Sequence, residues 1–135
     1  MRAAGRSLPL LLVMVSIFLL SHQPGDTLEL PNFFAIDKLA HFTVYGILAL
    51  TAIHALAPLS PNRGLRFAAL IICLCILYGI SDEFHQSFIP YRTVSIFDLL
   101  ADALGASAVT LGWLGLFSKK EDKRISPPRK GSPNP

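Results

Sequence analysis

Aspartate, histidine and lysine recur in this chain at spacings that would gather them on shared helix faces. Asp37 and His41 are four residues apart, and so are Asp98 and Asp102, so each pair would share one face. Tyr78, Asp82, His85 and Gln86 would fall within an arc of roughly 100° at 3.6 residues per turn. Lys38, Glu83 and Arg92 complete the set. Three chemistries follow from these types. An imidazole beside a carboxylate can act as a general base or acid. Ammonium and guanidinium groups hold phosphate or carboxylate, while Gln86 and Asp82 can hydrogen-bond sugar or amide groups. His with Asp or Glu suits zinc or manganese by ligand type, but no HExxH motif or cysteine cluster accompanies them, so no metal and no cofactor is expected. Ser81 and Ser95 lack the surroundings of a nucleophile elbow.

Some of these residues also have a plain structural reading. Asp37 fits a helix N-cap, and Ser95 with Asp98 has the form of a capping box. Asp102 does not, because it lies about 12 Å along a helix from Val94 and needs a buried partner. Asp82 and Glu83 fall near a helix C-terminus, where the dipole disfavours acids, and Arg92 is their expected counter-ion. His22 and His54 have no such company and read as incidental.

The elements that must position these groups are apolar. Of 135 residues, 52% are hydrophobic and only 16% charged, and the mean hydropathy is +0.50. A water-soluble globule carries nearer a quarter of charged residues, and a disordered chain is far less apolar. Four apolar blocks predict an all-α, polytopic membrane protein: a four-helix transmembrane bundle over 8–117, with helices at about 8–22, 38–58, 65–88 and 94–117. Residues 1–7 form a short N-terminal segment, and 118–135 a basic tail with no periodicity, expected to be disordered. The first block, Leu8 to Leu20, is short for a span and follows Arg2 and Arg6, as a signal peptide would; Leu19-Leu20-Ser21-His22 offers no small-x-small cleavage site, so an uncleaved helix is expected.

Topology follows from the basic residues. Four crossings place Arg2, Arg6, Arg63, Arg66 and the six Lys and Arg of the tail on one side, and leave Lys38 and Arg92 on the other. The positive-inside rule then puts both termini in the cytoplasm and gathers the ionisable residues at the outer face. Charged side chains cost about 2.5–3.5 kcal/mol each at the centre of a bilayer, so a cluster at one level implies mutual pairing or a watered site. The net charge of +3 is thus read as topology, and no nucleic acid partner is expected. Cys73 and Cys75 are two residues apart and point in nearly opposite directions on a helix, which excludes a disulfide between them. Gly105, Val109 and Gly112 continue the acidic face of the fourth helix with small residues that admit a close neighbour. Asp37-Lys-Leu-Ala and Asp98-Leu-Leu-Ala share a pattern, as two halves of a repeat would.

Asp37-Lys38-Leu-Ala-His41-Phe42, Ser81-Asp82-Glu83-Phe-His85-Gln86, Arg92 and Asp98-Leu-Leu-Ala-Asp102-Ala-Leu-Gly105 together resemble the VanZ-like family of small bacterial membrane proteins, over about 36–112. At Asp102 relatives often carry Asn. The resemblance implies a multi-pass protein of the bacterial cytoplasmic membrane; the named member is associated with low-level resistance to teicoplanin, and the family brings no established catalytic role. The leading functional reading is a cell-envelope protein whose outward pocket of Asp37, Lys38, His41, Asp82, Glu83, His85, Gln86, Arg92, Asp98 and Asp102 binds or modifies a membrane lipid or lipid-linked component. With no recognisable catalytic motif, an enzyme using His/Asp acid-base or metal chemistry comes second, and a proton- or ion-coupled carrier resting on Asp102 third.

Overall fold

A computed structural model of the chain describes residues 2–25, 34–59 and 64–125. Its described residues are all-helical outside turns: α1 (Arg2–Ser21), α2 (Phe34–Leu56) with a 3-10 turn at Ala57–Leu59, α3 (Leu65–Gln86) and α4 (Ile96–Ile125). Prolines explain the division. α2 lies between Pro31 and Pro58, α3 between Pro61 and Pro90, and α4 between Pro90 and Pro127. Each of these residues lacks the N–H that would continue the ladder.

Three helices are long and apolar enough to cross a membrane, over Ile36–Leu59, Leu65–Gln86 and Ile96–Leu116; α1 carries a shorter apolar stretch, Gly5–Ser21. Large apolar side chains on the outer surfaces, such as Leu50, Leu74, Leu104 and Leu111, stay exposed as a lipid-facing side chain must. The chain is a membrane protein by this architecture.

The helix ends differ from the sequence expectation in three places: α1 starts at Arg2 rather than near 8 and takes in the segment expected to precede it, α2 starts at Phe34 rather than near 38, and α4 runs on past 117. α4 does not stop near 117 but continues through Ile125, into the segment expected to be disordered. Lys119, Lys120, Glu121, Lys123 and Arg124 are good helix formers, and cations in the last turns suit the helix dipole; the first proline comes only at Pro127. The rest of that tail, 126–135, lies outside the described residues.

The core runs through Tyr45, Leu48, Ala49, Ala52 and Ile53 of α2, Phe67, Ile71 and Cys75 of α3, and Ala106 of α4, with Ile17 of α1 at its edge. Cys75 is buried and Cys73 exposed, on opposite sides of α3. α2 packs most extensively on α4. Gly105 makes that possible, because a Cβ there would overlap the carbonyl of Phe42. Val109 also comes close to α2, lying 3.2 Å from where a Cβ of Gly46 would be, but Gly112 has open space, so the expected small-residue stripe works at its first two positions only. With α3 running opposite to α2 and α4, four chain ends meet at one end of the bundle: the start of α2, the end of α3, the start of α4, and the end of α1.

Candidate functional site

Between α2 and α4 the acids and bases interlock. The Lys38 ammonium donates to Asp37 Oδ2 at 2.8 Å and to Asp98 Oδ1 across the interface. One turn further along, His41 Nδ1 lies 2.9 Å from Asp102 Oδ1, and its Nε2 lies 3.9 Å from Asp98 Oδ1. Asp98 is 5% exposed and Asp102 1%. An ionised Asp102 carboxylate would accept the proton of Nδ1, and the contact turns the Nε2 edge of the ring toward Asp98. The two Asp-x-Leu-Ala stretches thus face each other. Gly79 of α3 closes the back of this pairing: a Cβ added there would meet Asp102 Oδ2 at 3.0 Å and Tyr45 Cε1 at 3.4 Å.

The acids of α3 find other partners than expected. Asp82 Oδ2 accepts from Gln86 Nε2 at 3.0 Å, and Gln86 also donates to Ser21 Oγ of α1 at 3.3 Å. Glu83 Oε2 accepts the backbone N–H of Ser95 at 2.9 Å. That bond replaces the capping box: Ser95 Oγ takes the N–H of Phe97, while the acid that answers Ser95 comes from α3 rather than from Asp98, which is held by Lys38. Asp37 sits inside the first turn of α2, three residues past its start, and is no N-cap.

Arg92 does not pair with Asp82 or Glu83. Its Nη2 donates to the carbonyl of Leu20 at 2.8 Å and its Nε to that of Gln23 at 3.1 Å. The last carbonyls of a helix have no intrahelical donor and carry the negative end of the dipole, so a guanidinium within reach binds them. His22 is not incidental either: its Nδ1 lies 3.2 Å from Nε2 of His85, and Phe18 packs against His85 with ring centroids 4.7 Å apart and planes tilted by 32°. His85 is thereby turned to α1 and away from the acids. His54, at the far end of α2, is exposed and remote from the site.

These contacts frame a pocket of about 260 Å³ between α1, α2 and α3. Its lining is mixed: Asp37, His41, Asp82, Gln86 and Arg92 are polar, and Ile17, Leu20, Ala40 and Val44 are apolar. Of the ten residues singled out by sequence, five therefore line the pocket. Lys38, Asp98 and Asp102 stand behind it as the ion network, and Glu83 and His85 brace neighbouring elements. Asp102, the residue on which a carrier rested, has a partner in His41.

Sequence reasoning passed over Ser21 and Tyr45, which also line the pocket. The signal for Tyr45 was available, because it follows His41 by four residues on α2. As to metal ligands among the described residues, Asp37, His41 and Asp98 bring their ligand atoms within 4.8 Å of one another. The Lys38 ammonium sits on two of these three carboxyl and imidazole groups, so a divalent cation would have to displace it.

Comparison with known proteins agrees with the architecture. The family model described as VanZ/LLP1 matches residues 7–118. An uncharacterized protein, C11E3.10 of Schizosaccharomyces pombe, is 35% identical over 96 residues, which cover 70% of this chain and 56% of that protein. The chain thus spans a little over half the length of this curated relative, and a relative from a yeast means that the likeness does not carry a bacterial membrane with it. No solved structure matches.

Proposed function

We propose that this chain, which belongs to the VanZ/LLP1 family, receives the polar head of a membrane lipid or lipid-linked component in the pocket between α1, α2 and α3. The single observation that carries this reading is the mixed lining of charged, polar and apolar side chains. Two carboxylates, an imidazole, an amide and a guanidinium share the wall with Ile17, Leu20, Ala40 and Val44, so that polar groups for a head and apolar surface for a chain line one space. At about 260 Å³ the space suits a head group and the top of one chain, just below the roughly 300 Å³ at which drug-sized clefts begin. Arg92 is a cation on its wall, and its Nη1, with no hydrogen bond among the described residues, can take a phosphate or carboxylate oxygen; Lys38, bonded to two aspartates, supports the site rather than touching the head group. By the positive-inside rule the pocket faces the outer side of the membrane. In a cell exposed to lipoglycopeptides such as teicoplanin, holding or altering an envelope component there is the route by which susceptibility would change.

Native mass spectrometry of the protein, purified in mild detergent, tests this. A lipid adduct should accompany the wild type and be lost in Ala40→Phe, which fills the pocket without touching an ion pair. A wild type free of adduct, or an adduct that survives the substitution, overturns the reading.

A second reading, chemistry on that head group, is favoured by one specific arrangement. Asp102 orients His41 through Nδ1 and leaves Nε2 directed at Asp37 and Asp98, as a carboxylate orients a general base or a metal-ligating histidine. His41→Gln would then abolish conversion of a bound lipid-linked substrate while the adduct persists; loss of both together would leave binding as the whole function.

A further inference from the structure

Among the described residues, three buried side-chain atoms have no hydrogen-bond partner: Tyr45 Oη, Glu83 Oε1 and Thr110 Oγ1. Only Tyr45 is on the pocket wall. Its side chain is 1% exposed and its ring is wedged against the Gly79 face of α3. Tyr78 next to it, with ring centroids 6.4 Å apart, shows the ordinary solution, since its hydroxyl donates to the Met14 carbonyl at 2.6 Å. Tyr45 makes no such bond among the described residues, although leaving a buried hydroxyl unpaired is costly inside protein or lipid. A phenylalanine would fill the same space without that cost.

We infer that the Tyr45 hydroxyl is a specificity contact of the pocket, donating its hydrogen bond to an acceptor oxygen of the bound head group beside His41. This rests on the reading of the pocket as a head-group site and assigns one more residue to it. Tyr45 and His41 are one turn apart on α2, so an oxygen held by both would lie along the α2 wall, opposite Asp82 and Gln86 of α3. Phosphate oxygens and sugar hydroxyls both offer that acceptor. A ligand lacking it would leave the hydroxyl unpaired, which is how a buried polar group discriminates.

Tyr45→Phe separates the roles, because it removes one oxygen and keeps the ring. The wild type and the variant, held in amphipol, are titrated with radiolabelled dodecyl phosphate and dodecyl maltoside, and their melting temperatures are measured without either probe. The inference expects Tyr45→Phe to bind at least one probe about 3- to 10-fold more weakly, the range of a single hydrogen bond, while melting at the wild-type temperature or higher. The probe that weakens identifies the source of the oxygen, phosphate or sugar. Unchanged affinity for both probes in a wild type that binds them overturns this inference and leaves the pocket reading standing. A fall in the probe-free melting temperature overturns it as well, by showing that the hydroxyl serves the fold. If the wild type takes up neither probe, both fall together.

Discussion

At the end of the bundle away from the site, α2, α3 and α4 meet through Leu48, Ala49, Ala52, Ile53, Phe67 and Ile71, with Trp113 close to Phe67 at 5.6 Å between ring centroids. At the other end the same three helices meet through Lys38, His41, Asp82, Glu83, Asp98 and Asp102. In a bilayer these two kinds of contact are not equivalent. Lipid tails are as apolar as Leu, so the first end gains from closeness of fit rather than from leaving a polar solvent. The second gains from mutual attraction, and loses heavily when one partner is missing. A bundle needing only stability could use the first material throughout. The concentration of charge at one end, around a pocket, is what the proposed head-group site would require.

The largest expected effect breaks the polar end. Lys38→Met leaves Asp98, 5% exposed, without its ammonium, and removing one partner of a buried ion pair costs about 3–5 kcal/mol. Thermal denaturation in mild detergent should show it as a deep fall in melting temperature against Arg66→Met at the opposite end. Adding Asp98→Asn to Lys38→Met should recover much of the loss, because the only carboxylate then left without Lys38 is that of half-exposed Asp37. Equal melting of the Lys38 and Arg66 variants would remove the distinction between the two ends.

Next comes the seam that joins them. Gly105→Ala would place a methyl on the Phe42 carbonyl, a backbone group that cannot swing aside. Overpacking of this kind costs about 1–3 kcal/mol. Gly112→Ala, in open space, should cost nothing measurable by the same melt, so matched losses at the two glycines would sink the close-approach account.

The packing end should be more forgiving. Ile53→Val removes one buried methylene-sized volume, 3% exposed in the parent, for about 0.5–1.5 kcal/mol. It should leave the lipid adduct seen by native mass spectrometry unchanged. Loss of the adduct would show that the two ends are coupled rather than separable.

The difference between the ends also explains what could be read from the sequence. The four helices and the convergence of Asp37, His41, Asp82, Asp98 and Asp102 were legible, because hydropathy blocks set the spans, and four-residue spacing sets the faces. Which acid meets which base was not. Arg92 was expected at Asp82 or Glu83 and binds the carbonyls of Leu20 and Gln23 instead, since a side chain cannot be assigned to a partner before helix rotation and stagger are known. Backbone groups were invisible as competitors: the Ser95 N–H takes Glu83, and helix-end carbonyls take Arg92. His22 was read as incidental because a histidine in a connection carries no sign of its neighbours, whereas Tyr45 was passed over within an apolar run although its four-residue spacing from His41 placed it on the same face.

The smallest expected effect sharpens the comparison most, because it separates polarity from burial. His22 and His85 form a polar contact at the site end, 3.2 Å between ring nitrogens, but in an exposed setting. If polarity alone made that end intolerant, His22→Gln would rank beside Lys38→Met. If burial decides, as the cost of an unpaired group requires, water or head groups replace the lost contact and the change stays within about 0.5 kcal/mol. The neighbouring bonds from Gln86 to Ser21 and from Arg92 to Leu20 continue to hold α1 in place. The melting temperature of His22→Gln should therefore stay close to that of the wild type, and the adduct should be retained. A fall as deep as that of Lys38→Met would mean that the end of α1 is held by this one pair, and that exposure does not protect the polar end from loss.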